Sequence, residues 1–363
     1  MKILLLAGEE SGVMYAERIA EALRGKNPSV EIRGYQDYGF KTGDLAVMGI
    51  GQVLKRIFYF LGVKRTMERA IDEWRPDVVC TVDYPGMNLK LAAYAKKKGI
   101  RTVHVVCPQV WAWKRGRIPK IEASLDKLCC FFPFEPELFK PGFAEFVGHP
   151  LVDEMGDWKG ERRKEKGESA EKLLALLPGS RLGEIEKHLP TLLEIVETLQ
   201  KEIPDLKVVI PAANERAYAR ISSLIPHPSS LCITRGKARA ALRDATAAVV
   251  ASGTATLEAA LAGCPTVLVY KVGWLFAFLA RRFIKGIRHI GLANIIAEKA
   301  GKQCPMPELL QEDFTAEKVL AVLRPLLAHE EVNAISRALL GETMKLLRSD
   351  GGAITRIADR ILR

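Results

Sequence analysis

Two stretches of the chain carry residue types and spacings suited to holding a phosphate. The apolar run Leu173 to Leu177 stops at Pro178, turns through Gly179 and Ser180, and meets Arg181 before a helical pattern opens at about Glu184. A strand that turns sharply into a helix leaves unpaired backbone N–H groups at the positive end of the helix dipole, and such a corner binds anions. Ser180 is placed to cap that helix and Arg181 to grip a phosphate with two parallel hydrogen bonds. Ser252-Gly253-Thr254 follows the apolar run Ala245 to Ala251 and makes a second helix start of the same kind. Glu258 lies about one turn further on, within reach of a ribose diol, and Lys271 closes the next strand, Thr266 to Tyr270. Neither corner is a Walker loop, since no Gly-Lys-Ser/Thr follows. The plain alternative is a pair of ordinary turns with a solvated Arg.

Two further loops carry carboxylates. Asp83 ends the strand Asp77 to Val82, and open α/β sheets place their ligands at such strand ends. An ionised carboxylate there can accept a proton from a hydroxyl nucleophile; the bland reading is a turn former or helix cap. Gly8-Glu9-Glu10-Ser11-Gly12 follows the strand Ile3 to Ala7, with a helix from about Val13 to Leu23. It lacks the G-x-G-x-x-G spacing of a dinucleotide site. Glu9 would repel a phosphate, so this loop is assigned to sugar or acceptor hydroxyls.

Aromatic residues cluster with basic ones. Cys107-Pro108-Gln109-Val110-Trp111-Ala112-Trp113 is followed by Lys114, Arg115, Arg117 and Lys120. Trp111 and Trp113 are costly to leave wet and must pack or stack on something. Val53 to Arg65 puts Leu54, Ile57, Phe58 and Leu61 on one helical face, flanked by Lys55, Arg56, Lys64 and Arg65. That face is either core or an interfacial helix on anionic lipid. Trp274 to Lys285 is a second candidate of this type, too short to span a bilayer.

These loops need a scaffold, and the chain offers one twice. Its 363 residues suggest two domains, and 48% hydrophobic residues supply real cores. Strands and helices alternate through both halves, which predicts two doubly wound α/β domains facing a cleft, with ligand loops at the strands' carboxyl ends. The expected division is 1–160 with a C-terminal helix at about 345–363 crossing back, and 170–344, the charged stretch Glu154 to Ser169 serving as linker. The formal charge of +11 favours acidic partners such as phosphorylated ligands, anionic membrane or nucleic acid. Seven cysteines with no paired metal spacing read as reduced core residues of a cytosolic protein. The apolar run at Ile3 is too short for a signal peptide.

Taken together, the motifs resemble those of the lipid-A-disaccharide synthases, inverting glycosyltransferases of the two-Rossmann-domain (GT-B) type. The marks are A-G-E-x-S-G at Ala7 to Gly12, L-A-V-M-G at Leu45 to Gly49, P-x-V-W-A-W at Pro108 to Trp113 and F-P-F-E at Phe132 to Glu135. V-G-H-P-L at Val147 to Leu151, L-L-P-G-S-R at Leu176 to Arg181 and A-S-G-T-A-T-L-E at Ala251 to Glu258 complete the set. The resemblance covers nearly the whole length. It implies transfer from UDP-2,3-diacylglucosamine to 2,3-diacylglucosamine 1-phosphate, giving a β-1,6-linked disaccharide 1-phosphate and UDP. It implies no cofactor and no metal, work at the cytoplasmic face of the Gram-negative inner membrane, and no nucleic-acid partner; a homodimer is allowed.

By the same resemblance Asp83 is the base, with Glu9 and Ser11 near the reacting sugars. Glu258 and Asn294 match UDP-binding positions, and the helix starts and cations Ser180, Arg181, Ser252, Gly253, Thr254 and Lys271 are expected to bind UDP with them. Asn88, Gln109, Trp111, Trp113, Phe58 and Leu61 meet the acceptor or its lipid. The absence of any D-x-D pair agrees with charge stabilisation by N–H groups and cations. The chain departs from the family pattern at Gly86, where a second acid is usual, at Val13, where an Asp is usual, and in a short segment from Gly34 to Gly43. These departures bear on acceptor recognition. A UDP-N-acetylglucosamine 2-epimerase or another GT-B transferase is the nearest rival, and a non-catalytic basic protein that binds membrane or nucleic acid is the third reading.

Overall fold

Strand β1 (Lys2–Ala7) shows how the sequence makes its layers. Ile3, Leu5 and Ala7 pack into one buried cluster while Leu4 and Leu6 pack into another, so both faces of the strand are covered. Strands apolar on both faces belong to parallel sheets clothed by helices. The computed structural model describes residues 1–40, 57–155, 171–225, 231–273 and 288–363. The motif Leu45 to Gly49, the helix candidate Trp274 to Lys285, most of the expected linker and part of Gly34 to Gly43 lie outside them.

The chain forms two units, Met1–Asp153 with Leu347–Arg363, and Glu154–Leu346. In the first, β1 is joined by β2 (Glu31–Arg33), β3 (Val78–Val82), β4 (Arg101–Val105), β5 (Lys127–Cys130) and β6 (Ala144–Phe146). All pair in parallel, in the order β2-β1-β3-β4-β5-β6. Helix α1 (Glu10–Lys26) covers one face; α2 (Ile57–Trp74), α3 (Pro85–Lys97) and α4 (Ile118–Ser124) cover the other, and the short α5 (Pro150–Met155) follows β6. In the second unit β7 (Leu173–Leu177), β8 (Lys207–Ala212), β9 (Cys232–Arg235), β10 (Ala247–Ala251), β11 (Thr266–Tyr270) and β12 (Glu308–Leu310) form a parallel sheet ordered β12-β11-β10-β7-β8-β9. Its helices are α6 (Leu182–Glu202), α7 (Glu215–Leu224), α8 (Ala238–Asp244), α9 (Thr254–Leu261), α10 (Leu292–Lys299), α11 (Ala316–Ala328) and α12 (Glu330–Lys345). Among the described residues no helix is long and apolar enough to cross a membrane.

The expected return of a C-terminal helix is present. Helix α13 (Ala353–Leu362) packs Ile357, Ala358 and Ile361 into the cluster holding Ile19 and Leu23 of α1. The V-G-H-P-L motif is the clasp for this return. Ser349 Oγ donates to the Val147 carbonyl at 2.6 Å and the His149 N–H to the Leu347 carbonyl at 3.0 Å. Asp153 accepts the Ala353 N–H at 2.6 Å, satisfying a group at the start of α13. Arg356 and Arg360 hold Glu145 on β6 at 3.1 and 2.6 Å, and chiefly Arg360 pulls that carboxyl down to about 2. Glu145 therefore contributes stability above the ordinary Glu range that is lost as pH falls toward about 2.

Several helices start earlier than the sequence pattern indicates. Helix α1 opens at Glu10 rather than about Val13, which places Ser11 in its first turn. Helix α3 opens at Pro85, two residues after Asp83, with proline in the first turn, where its missing N–H costs nothing. Helix α6 opens at Leu182, and its N-cap is Arg181 in extended conformation, not Ser180.

Candidate functional site

In each sheet the candidate loops stand where the strand order reverses. The chain leaves β1 toward β2 on one side and returns to β3 on the other, so the loops after β1 and β3 flank the reversal. In the second sheet β8 and β9 lie on one side of β7 and β10 to β12 on the other, so the loops after β7 and β10 flank it. Such switch points open a crevice at the strands' carboxyl ends and are the preferred ligand sites of open α/β sheets.

In the first unit the turn after β3 is unusual. Asp83 and Tyr84 both hold positive φ, 49° and 50°, a left-handed conformation disfavoured for side chains with a Cβ. The surroundings hold it there. The Asp83 N–H donates to the Val105 carbonyl at 2.9 Å, and Asn88 Nδ2 donates to the Asp83 carbonyl at 2.8 Å. The same amide reaches the Leu6 and Val82 carbonyls at 3.2 Å, and its oxygen accepts from Tyr35 at 2.8 Å. Asn88 is fully buried. It is thus a bracket for the Asp83 turn and offers no open surface to an acceptor, which corrects the expectation for this residue. Tyr84 lies over Gly8, where an added Cβ would meet its ring at 2.4 Å, and a Cβ at Gly12 would meet the Val82 carbonyl at 3.3 Å. The glycines of A-G-E-x-S-G are therefore what lets the first loop sit against Asp83.

Burial raises the Asp83 carboxyl, partly offset by a hydrogen bond from the Tyr84 backbone. Glu9 is raised as well, first by desolvation and then by the charge of Asp83. Two carboxyls thus share one corner and hold protons more readily than free carboxylates. Ser11 follows in the first turn of α1.

In the second unit the two helix starts stand on adjacent strands, since β7 pairs with β10. Gly179 has φ 121°, and a Cβ there would meet Glu184 Cβ at 2.7 Å. Gly253, the N-cap of α9, has φ 154°. Ser180, Arg181, Gly253 and Thr254 are exposed and Ser252 is half-buried. Arg181 is held by Glu184 at 2.8 Å with 60% of its side chain exposed, and the Tyr270 hydroxyl donates to the same carboxylate at 3.4 Å. A cation resting on a neighbouring carboxylate beside free N–H groups can be drawn to an arriving anion.

His188, which nothing in the sequence marks out, ties this corner together. The Lys271 N–H donates to its Nε2 at 3.0 Å, so Nδ1 carries the proton and donates to the Pro178 carbonyl at 2.7 Å. Burial lowers its pKa and keeps it neutral. Through it the β7 turn is fixed to the end of β11, while the Lys271 side chain stays exposed.

Two expected nucleotide contacts are already engaged. Glu258 accepts from Arg239 at 2.8 Å, and Arg239 also holds Glu154 at 2.6 Å. Asn294 is fully buried; its Nδ2 donates to the Met306 carbonyl and to Glu308 Oε1, each at 2.7 Å, and its oxygen accepts the Met306 N–H at 3.0 Å. Glu308 also accepts the Ile290 and Gly291 N–H groups at 2.9 and 3.1 Å. Asn294 thus shapes the start of α10 and presents no free amide. Arg239 and Glu308 escaped the sequence reading because their partners are 19 and 14 residues away.

The aromatic loops divide. Trp111 is half-buried, donates its indole N–H to Glu135 at 3.2 Å and sets its ring edge-on to Phe134 at 5.7 Å. Trp113 is 46% exposed, with Lys114 over its ring at 4.4 Å, and Gln109 is exposed beside it. On α2 the inward stripe is Val63, Met67, Ala70, Ile71 and Trp74, whereas Phe58 and Leu61 are 84% and 43% exposed. Phe58 and Leu61 are thus not core; Leu54 lies outside the described residues.

Comparison with known proteins then bears on the whole chain. Residues 3–351 match the family model described as lipid-A-disaccharide synthetase. A lipid-A-disaccharide synthase of Anaeromyxobacter sp. (strain K) is 35% identical over 99% of this chain and 97% of the relative. One from Chromohalobacter salexigens is 37% identical over 88% of this chain and 86% of the relative. Among solved structures, a glycotransferase of kitacinnamycin superposes with a TM-score of 0.65 at 16% identity, covering 100% of this chain and 98% of that one. MurG of Acinetobacter baumannii does so with a TM-score of 0.57 at 16% identity, covering 99% of both chains. These likenesses establish the GT-B fold.

Proposed function

The chain belongs to the lipid-A-disaccharide synthase family, a family of glycosyltransferases, and we propose that it joins UDP-2,3-diacylglucosamine to 2,3-diacylglucosamine 1-phosphate. The observation that supports this most is the placement of both candidate corners at the switch points of their sheets, carboxyls on one and helix starts with Arg181 on the other. In this reading Asp83 takes the proton of the acceptor's 6-hydroxyl as its oxygen attacks the anomeric carbon. The bond from that carbon to the UDP oxygen breaks as the new one forms, so the anomeric configuration inverts. A carboxyl raised by burial is a stronger base than a free one, nearer the pKa useful at neutral pH. The charge of Asp83 in turn adds to the burial that raises Glu9.

The leaving diphosphate gains negative charge as the bond breaks. Backbone N–H groups at the starts of α6 and α9 are aimed and ready before it arrives, which is the efficient form of transition-state stabilisation. Arg181 exchanges Glu184 for the diphosphate, and no metal ion is needed for this step. Phe58 and Leu61 meet the acyl region of lipid substrates at the inner face of the membrane, with Arg65 toward the head groups. An epimerase acting on a water-soluble sugar has no use for such a face.

The test is to incubate the protein with both lipid substrates and a chelator. UDP release together with a β-1,6-linked disaccharide 1-phosphate is the expected result. UDP-sugar consumption with no disaccharide would overturn the reading.

A further inference from the structure

In the sequence the seven cysteines show no metal spacing, but the fold brings two of them together. Cys107 lies two residues beyond β4 and Cys130 ends β5, and these strands are parallel neighbours with Val105 opposite Cys129. Both sulfurs and a carboxylate oxygen of Glu135 lie within 4.8 Å of one another, and the three residues are 4%, 0% and 1% exposed. We infer that Cys107, Cys130 and Glu135 supply three of the four tetrahedral positions of a buried site for a thiophilic divalent cation of the zinc class, the fourth left to a water molecule.

The donor set selects the ion. Two thiolates and a carboxylate suit zinc, whereas magnesium and calcium take oxygen ligands alone. At zinc–sulfur bonds of about 2.3 Å, ligand atoms of a tetrahedral site stand about 3.7 Å apart, so a modest contraction of this cluster would seat the ion. The carboxylate is already oriented: Trp111 Nε1 donates to one oxygen at 3.2 Å and the Phe132 N–H to the other at 3.1 Å. Hydrogen bonds of this kind commonly fix metal-binding carboxylates.

The lack of another cation points the same way. Among the described residues no Lys, Arg or His pairs with the buried Glu135, whose oxygens are met only by neutral donors. An acid buried without a cation is costly to ionise. A divalent cation would draw the Cys107 thiol from the Pro108 carbonyl, to which it donates at 3.3 Å, and would release both thiol protons and any proton on the carboxyl to solvent. It would also staple the loop bearing Trp111 and Trp113 to β5.

The test uses reduced full-length protein stripped with chelator and titrated with Co²⁺, then Zn²⁺. A single equivalent of Co²⁺ should give thiolate-to-metal charge-transfer absorption that Zn²⁺ abolishes. Loss of an outer partner typically weakens metal sites by about 10–100-fold, so loss of a ligand in Cys130→Ser should weaken binding by at least about a hundredfold. Cys129→Ala is the control, since Cys129 packs on the opposite face of β5 and its loss should leave the band intact. If Cys130→Ser does not fold, Cys107→Ala makes the same comparison. Absence of the band in the wild-type protein, or a band that survives loss of either sulfur, overturns the proposal.

Discussion

At the end of β3 the chain turns through two left-handed residues with side chains, Asp83 and Tyr84, while at the ends of β7 and β10 it turns through Gly179 and Gly253. The first corner spends backbone strain to fix a carboxyl and brackets it with a buried amide, Asn88. The second removes side chains from the turn so that N–H groups stay uncovered, and keeps its cation on a carboxylate, Glu184. Both corners use the same strand-to-helix device at the same topological position. What differs is which charge is stabilised, and that follows from the residues within four or five positions of the turn.

The comparison breaks first at Asp83. Asp83→Asn keeps the shape and removes the base, so turnover should fall at least about a hundredfold while UDP affinity in calorimetry holds. Because burial raises Asp83, the acid limb of kcat/KM in the wild type should lie above the ordinary Asp range, activity falling as pH drops through it. Near-normal turnover in Asp83→Asn would remove the chemical distinction between the corners.

The next largest effect tests the other corner. Arg181→Ala should weaken UDP binding by about tenfold to a hundredfold, as expected for a charged hydrogen bond worth about 1.5–3 kcal/mol. Arg181→Lys should recover little, since it lacks the two-pronged geometry. Unchanged affinity would leave the N–H groups as sole anion holders.

A smaller effect is expected at α2. Changing Phe58 and Leu61 together to Ser should lower binding to anionic vesicles several-fold, with thermal stability within about 0.5 kcal/mol as usual for surface changes. Unfolding without any change in vesicle binding would return that face to the core. The smallest effect sharpens the first corner. Nothing lies within 4 Å of a Cβ built at Gly86, so Gly86→Asp should fold normally, gain at most about 1 kcal/mol from the start of α3, and alter acceptor KM more than kcat. A change in kcat alone would place that position nearer the reacting atoms.

The sequence pattern located these corners well because glycine, proline and the apolar runs are local signals. Leu173–Leu177 and Thr266–Tyr270 are strands with the bounds read from the residues. Helix starts were less legible, since Glu10, Pro85 and Leu182 enter their helices before any apolar periodicity shows. Side-chain partnerships across the fold were not legible at all. Asn88 reaches Leu6 across 82 positions, and His188 reaches Lys271 across 83. Cys107 and Cys130 meet only because β4 and β5 are neighbours. In α2, pattern alone could not separate the inward stripe from Phe58 and Leu61, because both recur at helical spacing and packing decides between them.

The clasp between Val147 and Ser349 has a consequence for biosynthesis. A ribosome completes every strand of the first sheet well before it makes α13, with the whole of the second unit translated in between. The nascent first sheet therefore waits with the apolar patch around Ile19 and Leu23 bare until Ile357 and Ile361 emerge to cover it.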